Sequence, residues 1–196
     1  KVEGGSKRKL SKRKDPELAL DFYKEKGYCV EAVKEYILTL LNSNFEEWRI
    51  ANPEEPLDAF AFSTEKMSNS GALFDLDKLR DVCKDVLVRV PASELAAFLK
   101  KWAGEFRPEL LPLFEEQEEQ LEKILDLGRS GNKPRKDLVY AEQIFEFIRY
   151  FFDDYFAIEG ELPENVSAED ASQILQRYLA TYDHSDDQST WFEKIR

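Results

Sequence analysis

Residues 75–106 read DLDKLRDVCKDVLVRVPASELAAFLKKWAGEF, and this stretch decides the fold class. Asp75 stands where a helix needs a capping carboxylate, and Leu76, Leu79, Val82, Cys83 and Val86 then recur at helical spacing. Leu87 to Val90 is a short, largely β-branched run halted by Pro91, and Ser93 opens a second helix expected to close at Gly104. A mixed region thus ends near Val90-Pro91, and everything beyond reads as helix.

Upstream, Asp15-Pro16-Glu17 has the form of a helix start, with Gly27 as its left-handed stop. A helix is expected over 30–41, with Val30, Val33, Ile37 and Leu41 along its apolar face, and a short one over 45–50. Leu57 to Phe62 alternates at period two and reads as a short strand. Downstream, a long helix is expected over 108–127, a loop over 128–137, and a helix capped by Asp137 over 138–157. Ser167 and Asp170 form a capping box for another helix, through Ile174, Leu175, Tyr178, Leu179 and Tyr182. The fold class is mostly α: a region with a little short β, followed by a helical bundle.

The 196 residues carry 28 bases and 40 acids, a formal charge of -12. Taken as an average, that opposes binding to a polyanion. The average conceals a split. Residues 1–14 hold seven bases and one acid, net +6; the other 182 hold 21 bases and 39 acids, net -18. The sequence has no apolar run of the roughly 18 residues a membrane span requires. Cys29 and Cys83 stand alone, without metal-ligand spacing, and suit free thiols in a reducing cytoplasm.

Several features invite chemistry. Seven aromatics crowd 145–156 (Phe145, Phe147, Tyr150, Phe151, Phe152, Tyr155, Phe156), and a buried helix accounts for them better than base stacking, since Arg149 is the one base among them. The acidic run at 115–119 spreads its charge around a helix and reads as a solvated face. His184, in YDHSDD, sits in a polar stretch that suits no general base. Arg129, Lys133, Arg135 and Lys136 put four bases into a loop of an otherwise acidic body. Such a cluster suits phosphate, and equally a solvated loop that offsets nearby acids. Lys9-Leu10-Ser11-Lys12-Arg13 brackets a hydroxyl with bases, a pattern fit to stabilise a transferring phosphoryl or nucleotidyl group.

That last string resembles the second signature of class I aminoacyl-tRNA synthetases. It is followed by Gly27-Tyr28, by EAVKEYILTLLN at 31–42 and by GALFDLDKL at 71–79, an order similar to bacterial glutamyl-tRNA synthetases. The resemblance covers roughly residues 7–160. It implies that Lys9 and Lys12, with Ser11 and Arg13, face ATP phosphates during amino-acid activation. It further implies that 1–14 is a remnant of the catalytic domain, 15–90 a stem-contact-like domain, and 91–196 an incomplete helical anticodon-binding domain. Arg129, Lys133, Arg135 and Lys136 are then candidate contacts to a glutamate-accepting tRNA. The similar string Lys66 to Ser70 lacks the middle lysine and aligns with the segment before GALFD, so it reads as a decoy.

The H-I-G-H signature and a nucleotide-binding fold are missing from these residues. The chain therefore reads as a C-terminal piece, inactive by itself. The resemblance implies ATP and Mg2+ for the full-length enzyme, no cofactor for this piece, a monomer, and no membrane partner. A second reading, an acidic all-α protein-interaction module without nucleic-acid binding, follows from the -18 body. Nothing in these residues distinguishes glutamate from glutamine as the amino acid.

Overall fold

A computed structural model of the chain describes residues 2, 3, 6–11, 13–67 and 72–196, with side chains from Arg8 onward. Its packing forms two units, Lys1–Asp154 and Tyr155–Arg196. The structure is mostly helical. The described strands are two-residue pieces, β1 (Val2–Glu3) and β2 (Ser6–Lys7), paired antiparallel inside the basic arm.

In the first unit, α1 (Leu20–Lys26) ends on Gly27 at φ +72°, the left-handed stop expected there. Next come α2 (Val30–Leu41), α3 (Phe45–Ala51) and α4 (Leu76–Leu87). Asp75 caps α4, its carboxylate accepting from the N–H groups of Asp77 and Lys78. α4 packs on α2 and buries Leu79, Cys83 and Val86 against Tyr28, Ala32, Tyr36 and Val139. The buried face of α2 is not the one its aliphatic residues suggest. Ala32, Glu35 and Tyr36 are inside, while Val30, Ile37 and Leu41 are exposed. An alanine and an aromatic fit closely against α4, and the buried Glu35 is neutralised by two arginines, so a carboxylate marks the inner face.

Residues 57–62 are not a strand. Leu57–Ala59 is a 3-10 turn, and Phe60 tucks its ring against Phe45 and Trp48. Packing of one aromatic, rather than sheet pairing, produced the alternation.

Beyond Pro91, α5 (Ala92–Phe106) runs through Gly104 instead of stopping there. The expected long helix over 108–127 is a 3-10 turn (Pro108–Leu110), then α6 (Leu111–Glu116) and α7 (Glu118–Asp126), parted where Gln117 leaves helical geometry at φ -116°, ψ 33°. The break lets both pieces lie on α5, burying Leu113, Phe114, Leu121, Ile124 and Leu125 with Leu95, Leu99 and Trp102. Each such burial removes apolar surface worth about 1.5–3 kcal/mol.

Asp137 does not cap the next helix. Leu138 and Val139 are buried ahead of any helix, Tyr140 is extended, and α8 (Ala141–Ile148) begins after it. Gln143 takes over the capping, its Oε1 accepting from Val139 N–H at 3.0 Å and its Nε2 donating to the Asp137 carbonyl at 2.9 Å. The aromatic stretch is split rather than buried as a whole. Phe145 and Phe152 are inside, whereas Phe147, Tyr150, Phe151 and Phe156 are exposed, because helix ends at Ile148 and a 3-10 turn carries Arg149–Phe151 outward.

In the second unit, α9 (Ala168–Thr181) is capped by Ser167, as its capping box predicts. α10 (Gln188–Lys194) is capped by Asp187. Trp191 donates to the Tyr178 hydroxyl at 3.4 Å. Among the described residues, no helix is long and apolar enough to cross a membrane.

Candidate functional site

Asp15 is the expected helix cap, but its side chain serves the basic loop before it. The carboxylate is 1% exposed as a residue and turns back. It accepts both arms of the Arg8 guanidinium, at 2.7 and 2.6 Å, and the Ser11 N–H at 2.7 Å. The Ser11 carbonyl then accepts from the N–H groups of Lys14 (3.0 Å) and Asp15 (2.9 Å). Arg8, Ser11, Lys14 and Asp15 thus gather around a buried carboxylate. Lys9 and Arg13 stand exposed beside it, and Ser11 is half-buried; Lys12 lies outside the described residues. Exposed bases on a pinned loop fit a polyphosphate such as that of ATP.

The four bases at 129–136 do not act together. Arg129 turns inward and donates to the carbonyls of Leu87 (2.6 Å), Val88 (3.3 Å) and Val90, stitching the C-terminal end of α4. Burial lowers its pKa, and Arg135 nearby adds to that. Sequence spacing gives no sign of this, since its partners lie about forty residues upstream. Arg135 pairs with Asp137 and Lys136 with Asp85, both at 2.8 Å. Lys133 is exposed.

Lys133 and Lys136 also border a cleft of about 670 Å³ between α2, α3, α4 and the 128–137 loop. Sequence reading missed its other charged walls. Arg49 and Arg89 converge on the buried Glu35 at 3.1 and 2.9 Å, and Lys78 pairs with Glu46. Arg49 also stacks over Trp48, 4.9 Å from the ring centroid, and donates to the carbonyls of Asn52 and Glu55. Glu35 and Arg89, like Lys78 and Glu46, lie far apart in sequence, so no local motif announces these pairs. Among the described residues, no three His, Cys, Asp or Glu side chains gather to hold a metal ion. His184 is exposed, 4.0 Å from Asp183.

No family model and no solved structure matches the chain. Curated proteins do. It is 60% identical over all 196 residues to a glutamate–tRNA ligase of Acetivibrio thermocellus, of which it covers 36%. It is 41% identical over 200 aligned residues to that of Clostridium perfringens (strain 13 / Type A), covering 37% of it. The chain belongs to the glutamate–tRNA ligase family. It also aligns over 97% of its length, at 37% identity, with the glutamate–tRNA ligase of Sorangium cellulosum. The chain spans about a third of the length of these relatives. As a stretch of a glutamate–tRNA ligase, it carries the loop at 8–15 and the basic loop at 129–136 inside one packed unit.

Proposed function

We propose that this chain is the tRNA-contacting, C-terminal part of a glutamyl-tRNA synthetase, joined to the tail of the catalytic domain. The whole protein would ligate glutamate to its tRNA with ATP in the cytoplasm, as a monomer. The observation that carries this reading is the full-length match to glutamate–tRNA ligases. Residues 1–14 belong to the catalytic domain, 15–90 to the stem-contact region and 91–196 to the anticodon-binding region. Residues 15–90 pack with residues 91–154 within one unit.

Lys9 and Arg13 sit where a triphosphate can meet them, and sequence assigns Lys12 to the same task. These bases would draw negative charge off the reacting phosphate as it develops, in a loop held still by Asp15. Among the described residues, no cluster of acidic ligands gathers that would fit Mg2+. Without the rest of the protein it should not activate glutamate.

On the tRNA side, Lys133 and Lys136 are the outward bases of the 128–137 loop, with Arg135 half-buried beside them. The exposed Phe147, Tyr150 and Phe151 border a recess that Arg135 also lines, and exposed aromatics beside an arginine suit unpaired bases. Arg129 is better read as a structural residue. The test is tRNA binding by the full-length protein across a salt series. Affinity falling steeply with salt supports the reading. No binding at low salt would favour the acidic interaction module.

A further inference from the structure

We propose that Arg8 and Asp15 are a positioning pair that fixes the backbone at Ser11 and so aims Lys9, Arg13 and Lys14 at phosphate. This rests on the reading of that loop as part of the activation site.

The geometry is that of a clasp. Arg8 and Asp15 stand at the two ends of the loop and meet through a two-pronged ion pair at 2.6 and 2.7 Å. A planar guanidinium matched to a carboxylate fixes direction as well as distance. The same carboxylate reaches into the loop and takes the Ser11 N–H, while the Ser11 carbonyl takes two more N–H groups. Arg8 also donates to the Lys9 carbonyl at 3.3 Å. One carboxylate therefore fixes both the closure of the loop and the turn at its serine.

Two consequences bear on the bases. First, Lys9, Arg13 and Lys14 are left exposed on a backbone already fixed, so less ordering is lost when they meet a ligand. Second, Arg8 saturates the Asp15 charge. Without Arg8, a carboxylate at the foot of the loop would attract the loop lysines and compete with phosphate. Arg8 is partly exposed, but both arms of its guanidinium are engaged by Asp15, so it acts through Asp15 rather than on the ligand.

The experiment uses the full-length protein and measures kcat and KM for ATP in ATP–pyrophosphate exchange. Arg8→Lys keeps the charge and removes the fork; Asp15→Asn keeps an acceptor and removes the charge. Each should lower kcat about 10- to 100-fold, the scale of a misplaced group. The double variant should be no worse than the poorer single one. Trypsin should cut after Arg13 or Lys14 faster in Arg8→Lys than in the parent, a readout that survives even if Asp15→Asn folds poorly. Lys9→Ala is the control for the underlying reading. If Lys9→Ala loses activity while Arg8→Lys retains parental kcat, KM and trypsin resistance, the clasp is overturned. If Lys9→Ala is fully active, the loop assignment itself fails.

Discussion

The indole N–H of Trp102 donates to the carbonyl of Glu25 at 2.9 Å, across 77 residues of sequence. It joins the end of α1 to the middle of α5. Beside it, the Gly27 carbonyl accepts from Ala141 N–H at 2.9 Å, and the Tyr28 and Tyr140 rings stack at 4.8 Å. Segments on both sides of Val90-Pro91 thus meet at one point. The proline marks a change of local pattern, and the packing runs straight across it.

That junction has no room for a side chain. A Cβ on Gly27 would overlap the Ala141 Cβ and come within 2.8 Å of Trp102 Cδ1, at a backbone φ of +72°. Gly27→Ala should cost more than about 1 kcal/mol, since strain and overlap both oppose it. Urea unfolding read by tryptophan fluorescence should record a lower midpoint. An unchanged midpoint would contradict the packing.

Glu35 is buried between Arg49 and Arg89. Glu35→Gln leaves two partly buried guanidinium groups without a counter-charge and should destabilise by about 3 kcal/mol. Replacing the exposed Glu119, paired with Lys123 on α7, should leave stability essentially unchanged, because water already screens that pair. Thermal melts of the two variants make the comparison, and equal effects would refute the burial argument.

The bases of the 128–137 loop should separate by function. Arg129→Met removes three carbonyl contacts at the end of α4 and should lower stability by about 1–3 kcal/mol. Lys133→Ala should leave stability intact and weaken tRNA binding, reducing the slope of log affinity against log salt by about 0.7–0.9. Asp85→Asn frees Lys136 from its ion pair and should tighten tRNA binding at low salt. Thermal melts read the first, and filter binding over a salt range reads the other two; equal binding by the parent, Lys133→Ala and Asp85→Asn would contradict the assignment.

Alkaline pH should unfold the first unit. Burial pushes the Cys83 thiol from 9.0 up to about 12, and the phenols of Tyr23 and Tyr28 from 10.0 up to about 12. The folded state holds protons that the unfolded chain releases. This stability is therefore fully present below about pH 9 and lost as pH rises toward 12. Circular dichroism across pH 8–12 should follow the loss. At pH 8, Cys83 should resist a thiol reagent until denaturant is added.

What was legible in the sequence were the features carried by neighbouring residues. Asp75, Gly27 and Ser167 punctuate helices as their local chemistry dictates. The order of short segments around Lys9 to Arg13 and GALFD pointed to the family. Long-range pairing was not legible. Glu35 marks an inner face only because Arg89 arrives from 54 residues away. Arg129 looks like a surface base until the carbonyls of α4 are placed beside it. Asp15 fits a helix cap equally well on paper, and only the position of Arg8 shows that its carboxylate faces the other way. Gln117 breaks a helix with no glycine or proline to announce it.

The central claim is that these residues belong to an enzyme that activates glutamate for transfer to tRNA. ATP–pyrophosphate exchange by the full-length protein, with tRNA present and each amino acid offered in turn, tests it most directly. The account predicts exchange with glutamate, abolished by Lys9→Ala together with Lys12→Ala. Exchange with a different amino acid alone, or none with any of them, would contradict it.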